Sequence, residues 1–183
     1  MSVDSGRSHL VACACGQVVF EAAGVPILTT VCDCASCREA GRRIEALPGA
    51  APVLDADGGT SFVLHRKDRV RCTRGGAQLK EYRLKPDSPT RRVVATCCHS
   101  AMFLEFNKGH WLSLYRNRIP GAPPVEMRVM TGDRPDGAPL DGNVPAYATH
   151  SVAFMWRLFA AWFAMGLRTP RGIDGTKIEG GSP

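Results

Sequence analysis

The sequence predicts a mainly β fold with one apolar helix near its C-terminal end, and three features predict it. Between Ser61 and Phe106 five short runs rich in β-branched and aromatic residues recur with turn residues between them, the spacing of a small all-β domain. Seven of the eight cysteines fall into three tight groups: Cys13 and Cys15, then Cys32, Cys34 and Cys37, then Cys97 and Cys98. From His150 to Leu167 apolar residues return at three-to-four spacing, the period of a helix. A chain of 183 residues with 44% hydrophobic content has room for one domain with a real core and an extension, while two full domains would be cramped. The expected organisation is a disordered start over 1–8, a β domain over 9–118, an extension over 119–168 with the helix at about 150–167, and a disordered tail over 169–183.

The elements follow in order. His9 to Cys13 and Gln17 to Glu21 read as two short strands around a Cys-Ala-Cys-Gly turn, with Gly16 free to take positive φ. Ile27 to Val31 is β-branched and delivers the chain to Cys32, after which Ser36 to Ile44, carrying Arg38, Glu39, Arg42 and Arg43, suits a short exposed helix. Leu47 to Gly59 is rich in Pro, Gly and Ala and reads as loop with one short strand at Pro52 to Leu54. The five runs come next: Ser61 to His65, Arg69 to Thr73, Leu79 to Leu84, Arg92 to Thr96 and Met102 to Phe106. His110 to Tyr115 is one more strand or a short helix, and Val125 to Met130 a strand set between Pro- and Gly-rich loops. In the last helix Val152, Met155, Phe159 and Trp162 form the apolar stripe, Thr149 or Ser151 caps the start, and Gly166 with Pro170 ends it.

Thiolate is the ligand that soft and borderline ions select, usually four to a closed site, and zinc is the ion expected here. A chain that turns tightly lets Cys32, Cys34 and Cys37 converge on one ion, and antiparallel strands make Cys13, Cys15 and Cys97 plausible co-ligands. No charged start followed by an apolar stretch and a cleavage site opens the sequence, so a reducing, cytoplasmic location is expected. There, disulfides are scarce, and C-x-C pairs close them poorly. Iron–sulfur clusters also use thiolates, but the spacing matches none of the common ferredoxin runs.

His9 to Phe20, Cys32 to Arg38, Gly75 to Tyr82 and Cys97 to Phe106 together resemble the glutathione-dependent formaldehyde-activating enzyme and centromere protein V family. Its pattern is C-x-C-G, C-x-C-x-x-C-R, a Leu-x-x-Tyr stretch, then C-x-x-C-G and an apolar strand, and the resemblance covers roughly residues 8 to 106. It implies a small Mss4-like β fold with two zinc sites. The outer pairs, here Cys13 and Cys15 with Cys97, would build a structural site, and Cys32, Cys34 and Cys37 a second one open to a thiol. The match fails where Ser100 and Ala101 stand for the closing cysteine and glycine, so either Cys98 or His99 supplies the fourth contact or the structural site is lost. Cys98 is the softer ligand and is favoured.

Three thiolates leave a divalent ion with a vacant tetrahedral position and a net negative charge, so the site would activate water poorly and suits a thiol better. Glutathione, an anionic thiol, would be drawn by Arg38 and Arg42 with Arg43, in keeping with the formal charge of +6. Two function classes stay open: a carbon–sulfur lyase acting on a thiol adduct, as the resemblance implies, and a zinc-stabilised binding module without catalysis, in which a fourth ligand such as Cys72 or a histidine closes the triplet. The basic cluster of Arg66, Lys67, Arg69, Arg71 and Arg74 lacks interleaved aromatics, so nucleic-acid binding is not expected. A helix of roughly 17 residues with Arg157 at its middle is short for a membrane span. It is expected to pack on the β domain or to pair with its copy in a homodimer, with attachment to a membrane surface as the third choice.

Overall fold

The computed structural model describes residues 8–135, 140, 142–170 and 173. A hairpin opens it: β1 (Ser8–Ala12) and β2 (Val19–Ala23) pair antiparallel, and β5 (Val70–Arg74) joins the other edge of β2 to make a three-stranded sheet. Gly16 takes φ +74 in the turn between β1 and β2, a backbone conformation that glycine reaches without strain.

The larger sheet uses β3 (Leu28–Cys32), β4 (Thr60–Arg66), β6 (Leu79–Tyr82), β7 (Thr90–Ala95), β8 (Ser100–Phe106), β9 (Trp111–Tyr115) and β10 (Met127–Val129). Their order across the sheet is β10-β3-β4-β9-β8-β7-β6, with all neighbours antiparallel except β10, which lies parallel to β3 with Met127 opposite Thr30. The fold is mainly β, as expected.

Alternation along the strands gives the large sheet two buried faces. Val63, Leu112 and Leu114 point toward the small sheet and meet Val11, Val18 and Phe20, where the Phe20 and Phe103 rings stand edge to face with centroids 5.7 Å apart. Phe62, Leu64 and Tyr115 point the other way and are covered by α1 (Ala35–Glu45) and α2 (Val152–Phe163). Burying an aromatic or aliphatic side chain contributes about 1.5–3 kcal/mol, so two covered faces supply most of the driving force. On α1 the buried residues are Cys37, Ala40, Gly41 and Ile44, one stripe at helical spacing. The Leu54 side chain packs into the space at Gly41, where a Cβ would lie 2.3 Å from Leu54 Cδ2.

Several expectations are corrected. No strand forms at Pro52 to Leu54, because the Val53 and Leu54 N–H groups donate to Glu45 Oε1 at 2.7 and 2.8 Å, and a helix carboxylate replaces a ladder partner. The β domain does not stop at 118, since β10 is an edge strand of the main sheet. Ser8, placed in the disordered start, is the first residue of β1, and residues 1–7 lie outside the described ones. Most of the tail over 169–183 also lies outside them, although Ile173 packs on the core between the sheets.

The last helix is shorter than expected. Ser151 Oγ caps it by accepting from the Phe154 N–H at 3.1 Å, and Gly166 and Leu167, both at positive φ, turn the chain away after Phe163. It packs through Phe154 and Leu158, while Val152, Met155 and Phe159, three members of the predicted stripe, are exposed. Trp162 is half-buried and stacks on His110 with centroids 6.0 Å apart. A helix apolar all round except for Arg157 has little period from which the packed face can be chosen. No helix among the described residues is long and apolar enough to cross a membrane.

The basic cluster is largely committed to carboxylates: Arg66 to Asp68, Lys67 to Glu105 and Arg71 to Glu21, each at 2.6 Å. His65 on β4 is fully buried, with Nε2 3.3 Å from the Gly24 carbonyl oxygen and no partner at hydrogen-bonding geometry for Nδ1 among the described residues. Burial holds its pKa down at about 4. The unfolded chain takes that proton near pH 6.5, so the contribution of His65 is intact above 6.5, declines as pH falls through the window, and is lost below 4. The loss amounts to about 3 kcal/mol. Urea midpoints measured from pH 7 to pH 4 should fall more steeply for the wild type than for His65→Gln, and equal slopes would remove His65 as the cause.

Candidate metal centre

The first cysteine group is built by two turns. The β1–β2 turn carries Cys13 and Cys15, and the β7–β8 turn carries Cys97 and Cys98 to the same place. The sulfur–sulfur distances are 3.5 Å for Cys13 to Cys15, 3.8 Å for Cys13 to Cys97, 3.4 Å for Cys15 to Cys97 and 3.9 Å for Cys97 to Cys98. Thiolates bound at about 2.3 Å around a tetrahedral ion stand about 3.8 Å apart, so this donor set fits such an ion. All eight cysteines are free thiols, and these separations are far longer than a disulfide of about 2.05 Å.

Adjacent Cys97 and Cys98 both turn inward because the four residues Thr96 to His99 form a tight turn that His99 leaves at φ +48. His99 points away, its Nδ1 2.9 Å from the Pro48 carbonyl oxygen. Ser100 Oγ lies 3.2 Å from Cys98 Sγ and accepts from the Ala14 N–H at 3.0 Å, so it ties the two turns together. Burial pushes the Cys98 thiol up, but the Ser100 hydroxyl and the Cys15 backbone and thiol outweigh it and hold its pKa near 6.

The second group sits where β3 runs into α1. Cys32 ends the strand, Cys34 is the helix cap whose Sγ accepts from the Cys37 N–H at 3.3 Å, and Cys37 lies in the first turn. The three sulfurs lie within 4.8 Å of one another, and no fourth cysteine, histidine, aspartate or glutamate among the described residues completes the set. Cys72 is elsewhere, on β5, with its Sγ 3.3 Å from the Arg74 carbonyl oxygen, so it does not close the triplet.

Asp33, between the first two cysteines, is fully buried and pins the loop from beneath. Its Oδ1 meets Arg128 Nη2 at 2.9 Å and Arg134 Nη1 at 2.6 Å, Oδ2 accepts from Arg128 Nε at 3.1 Å, and its N–H donates to the Val129 carbonyl at 3.0 Å. Asp57 meets the same Arg128 Nη2 at 2.6 Å. Asp133 adds a clamp on α1, its Oδ2 accepting from the Ala35 N–H at 3.1 Å and its carbonyl from Arg38 Nη1 at 2.8 Å.

Hydrogen bonds from the Cys32 and Cys37 thiols, with the positive charge of Arg92 assisting, push the Cys34 pKa down to about 2. The Cys32 thiol goes up in return, through those shared hydrogen bonds and burial. Three packed thiols cannot all ionise against their mutual repulsion without a cation, and a divalent ion would supply that charge. The donor chemistry therefore fits a metal here as well.

The two arginines expected to draw a ligand are placed differently. Arg38 is spent on the Asp133 carbonyl, and exposed Arg42 pairs with Glu39 at 2.8 Å, as Arg43 does at 2.7 Å. Helical spacing makes Glu39 their nearest counter-charge. The guanidinium at the triplet belongs instead to Arg92 on β7, buried at 1% exposure, whose Nη2 donates to the Ser36 carbonyl and hydroxyl at 3.1 and 3.0 Å. Sequence reasoning missed it, since an arginine at the start of a strand reads as an exposed position.

Fold and site together define a mainly β protein with two cysteine groups that could each hold a metal ion. No protein-family model matches the chain, and no curated protein matches it. Among solved structures, one of a Rhodobacter sphaeroides protein aligns with 63% of this chain and 91% of its own at 18% identity, with a TM-score of 0.43.

Proposed function

We propose that the protein carries two zinc ions, one enclosed by Cys13, Cys15, Cys97 and Cys98 and one left open at Cys32, Cys34 and Cys37, and that the open site takes a thiol ligand. The observation that carries the reading is the contrast between the two groups: four sulfurs within reach of one another in the first, three in the second. Zinc is preferred over other ions because an all-sulfur tetrahedral donor set is its usual structural environment and it needs no redox partner.

When bound at the triplet, zinc would lower the pKa of an incoming thiol and keep it as thiolate at neutral pH. The protein's own part is orientation. The Asp33, Arg128 and Arg134 network holds the loop, Tyr82 and Tyr115 provide buried walls, and Arg92 sets a positive potential. The reaction class that suits such a site is addition of a thiol to a small carbonyl compound, or its reversal. The sulfur lone pair forms the carbon–sulfur bond, the carbonyl π pair moves to oxygen, and the proton lost by the thiol is balanced by one taken up at that oxygen. This is carbon–sulfur lyase chemistry of the kind implied by the resemblance to the formaldehyde-activating family, and glutathione is a thiol of the required kind.

Cobalt(II) substitution tests the reading. Glutathione titrated into the cobalt protein should change the visible bands of one of the two ions. If no thiol changes them, the open site is discarded and a metal-stabilised binding module remains.

A further inference from the structure

The C-terminal helix leaves much of its apolar surface uncovered. Phe154 and Leu158 hold α2 on the large sheet, while on its other side Val152, Met155, Trp156, Phe159 and Phe163 are 87, 54, 65, 48 and 68% exposed. Helical periodicity sets all five along one stripe that runs the length of the helix. The Trp156 and Phe159 rings, with centroids 5.8 Å apart, form its central ridge. One flank is lined by exposed alanines, Ala153, Ala160 and Ala164, which let a second helix come close.

Single exposed apolar residues are ordinary, but a contiguous stripe of them marks an interaction surface. At the areas usual for such side chains the stripe presents on the order of 600 Å², most of the roughly 800 Å² that each partner gives to a standard interface. Its composition points to what meets it. Arg157 is the one charged residue of α2, and it lies off the stripe, held by Glu126. A helix seated on a lipid surface carries cationic side chains on its polar face to meet the headgroups, whereas the other face of α2 is taken up by the protein's own sheet. The chain's own end offers too little to cover the stripe: after Ile173, which packs on the core, residues 174–183 hold a single large apolar side chain, Ile178. An uncharged ridge of rings beside a flank of small residues is matched by itself, and pairing of one patch with the same patch of a second copy is the commonest form of association.

We propose that α2 is a homodimerisation surface, the stripe of each chain packing against the same stripe of a second copy across a two-fold axis, with Trp156 and Phe159 at its centre. The proposal is independent of the zinc reading, since no residue of the stripe belongs to either cysteine group.

The test is the mass of the full chain in reducing buffer, where no disulfide between copies can imitate the contact. Sedimentation velocity over roughly 1 to 100 μM covers the weak end of the affinities such interfaces reach, and the wild type should run as a dimer at the top of that range. Trp156→Glu should weaken the dimer about thirtyfold or more, as loss of a central aromatic anchor does, and leave the thermal melt of the dilute protein unchanged. Phe159→Glu should do the same, which keeps the comparison decisive where one variant does not fold. Leu10→Glu changes a side chain that is 58% exposed on β1, in the other sheet, and should leave the dimer intact. A wild type that stays monomeric throughout would overturn the proposal, as would a dimer that the stripe variants do not weaken or that Leu10→Glu weakens equally. Vesicles of phosphatidylcholine and phosphatidylserine supply the other arm. A monomer that co-sediments with them, and no longer does so as Trp156→Glu, would overturn the proposal in favour of a lipid surface.

Discussion

On the proposed two-zinc reading, Cys98→Ser is expected to reduce bound zinc from two ions per chain to one and to lower the melting temperature strongly, while His99→Ala keeps both ions. The distinction follows from where each side chain points: Cys98 Sγ is 3.9 Å from Cys97 Sγ inside the four-sulfur group, and His99 is turned to the Pro48 carbonyl. Zinc bound by small folded domains is worth on the order of 10 kcal/mol, and a neutral serine hydroxyl replaces a thiolate poorly, so most of one site's contribution should be lost. The two turns this group joins are far apart in the chain and otherwise meet mainly through Ser100, so the small sheet should loosen first. Elemental analysis and thermal melts of reduced protein check the expectation. Two retained ions in Cys98→Ser with an unchanged melt would contradict the four-sulfur assignment, and loss of an ion in His99→Ala would transfer the ligand role to the histidine.

Asp33→Asn should destabilise the fold by about 3–5 kcal/mol, because it removes one charge from a buried network and leaves Arg128 and Arg134 sharing what remains. Asp33, Arg128 and Arg134 have side chains at 0%, 3% and 7% exposure, so water screens little of the loss. A second effect reaches the site. The loop between Cys32 and Cys34 is pinned by this carboxylate, and groups that orient metal ligands typically change affinity by about 10–100-fold when removed. Urea unfolding of the metal-loaded protein reads the first effect, and chelator competition at the more weakly bound ion reads the second. An unchanged urea midpoint would mean that the network contributes no net stability, and an unchanged chelator profile that the loop holds its shape without Asp33.

Local pattern carried most of the strands. Period-two alternation marks Val63 against Phe62 and Leu64 whatever lies beyond the strand, and Gly16 announces its turn through its own backbone freedom. The cysteine groups were equally plain, since C-x-C-x-x-C constrains three sulfurs within one turn of chain. What alternation cannot express is who comes to the edge. β10 pairs in parallel with β3 across almost a hundred residues, and no short-range signal records such a pairing.

The sequence by itself determined a mainly β chain, the Cys32, Cys34 and Cys37 triplet and an apolar helix at the end, because each depends on residue type and spacing within a few positions. Only the tertiary structure decided that α2 turns Phe154 and Leu158 inward rather than Val152 and Phe159, that Glu39 and Asp133 occupy Arg42 and Arg38, and that Arg92 stands at the triplet. These outcomes depend on which surfaces and charges meet once distant strands are side by side, and the pairing of a charge is a property of its neighbours in space.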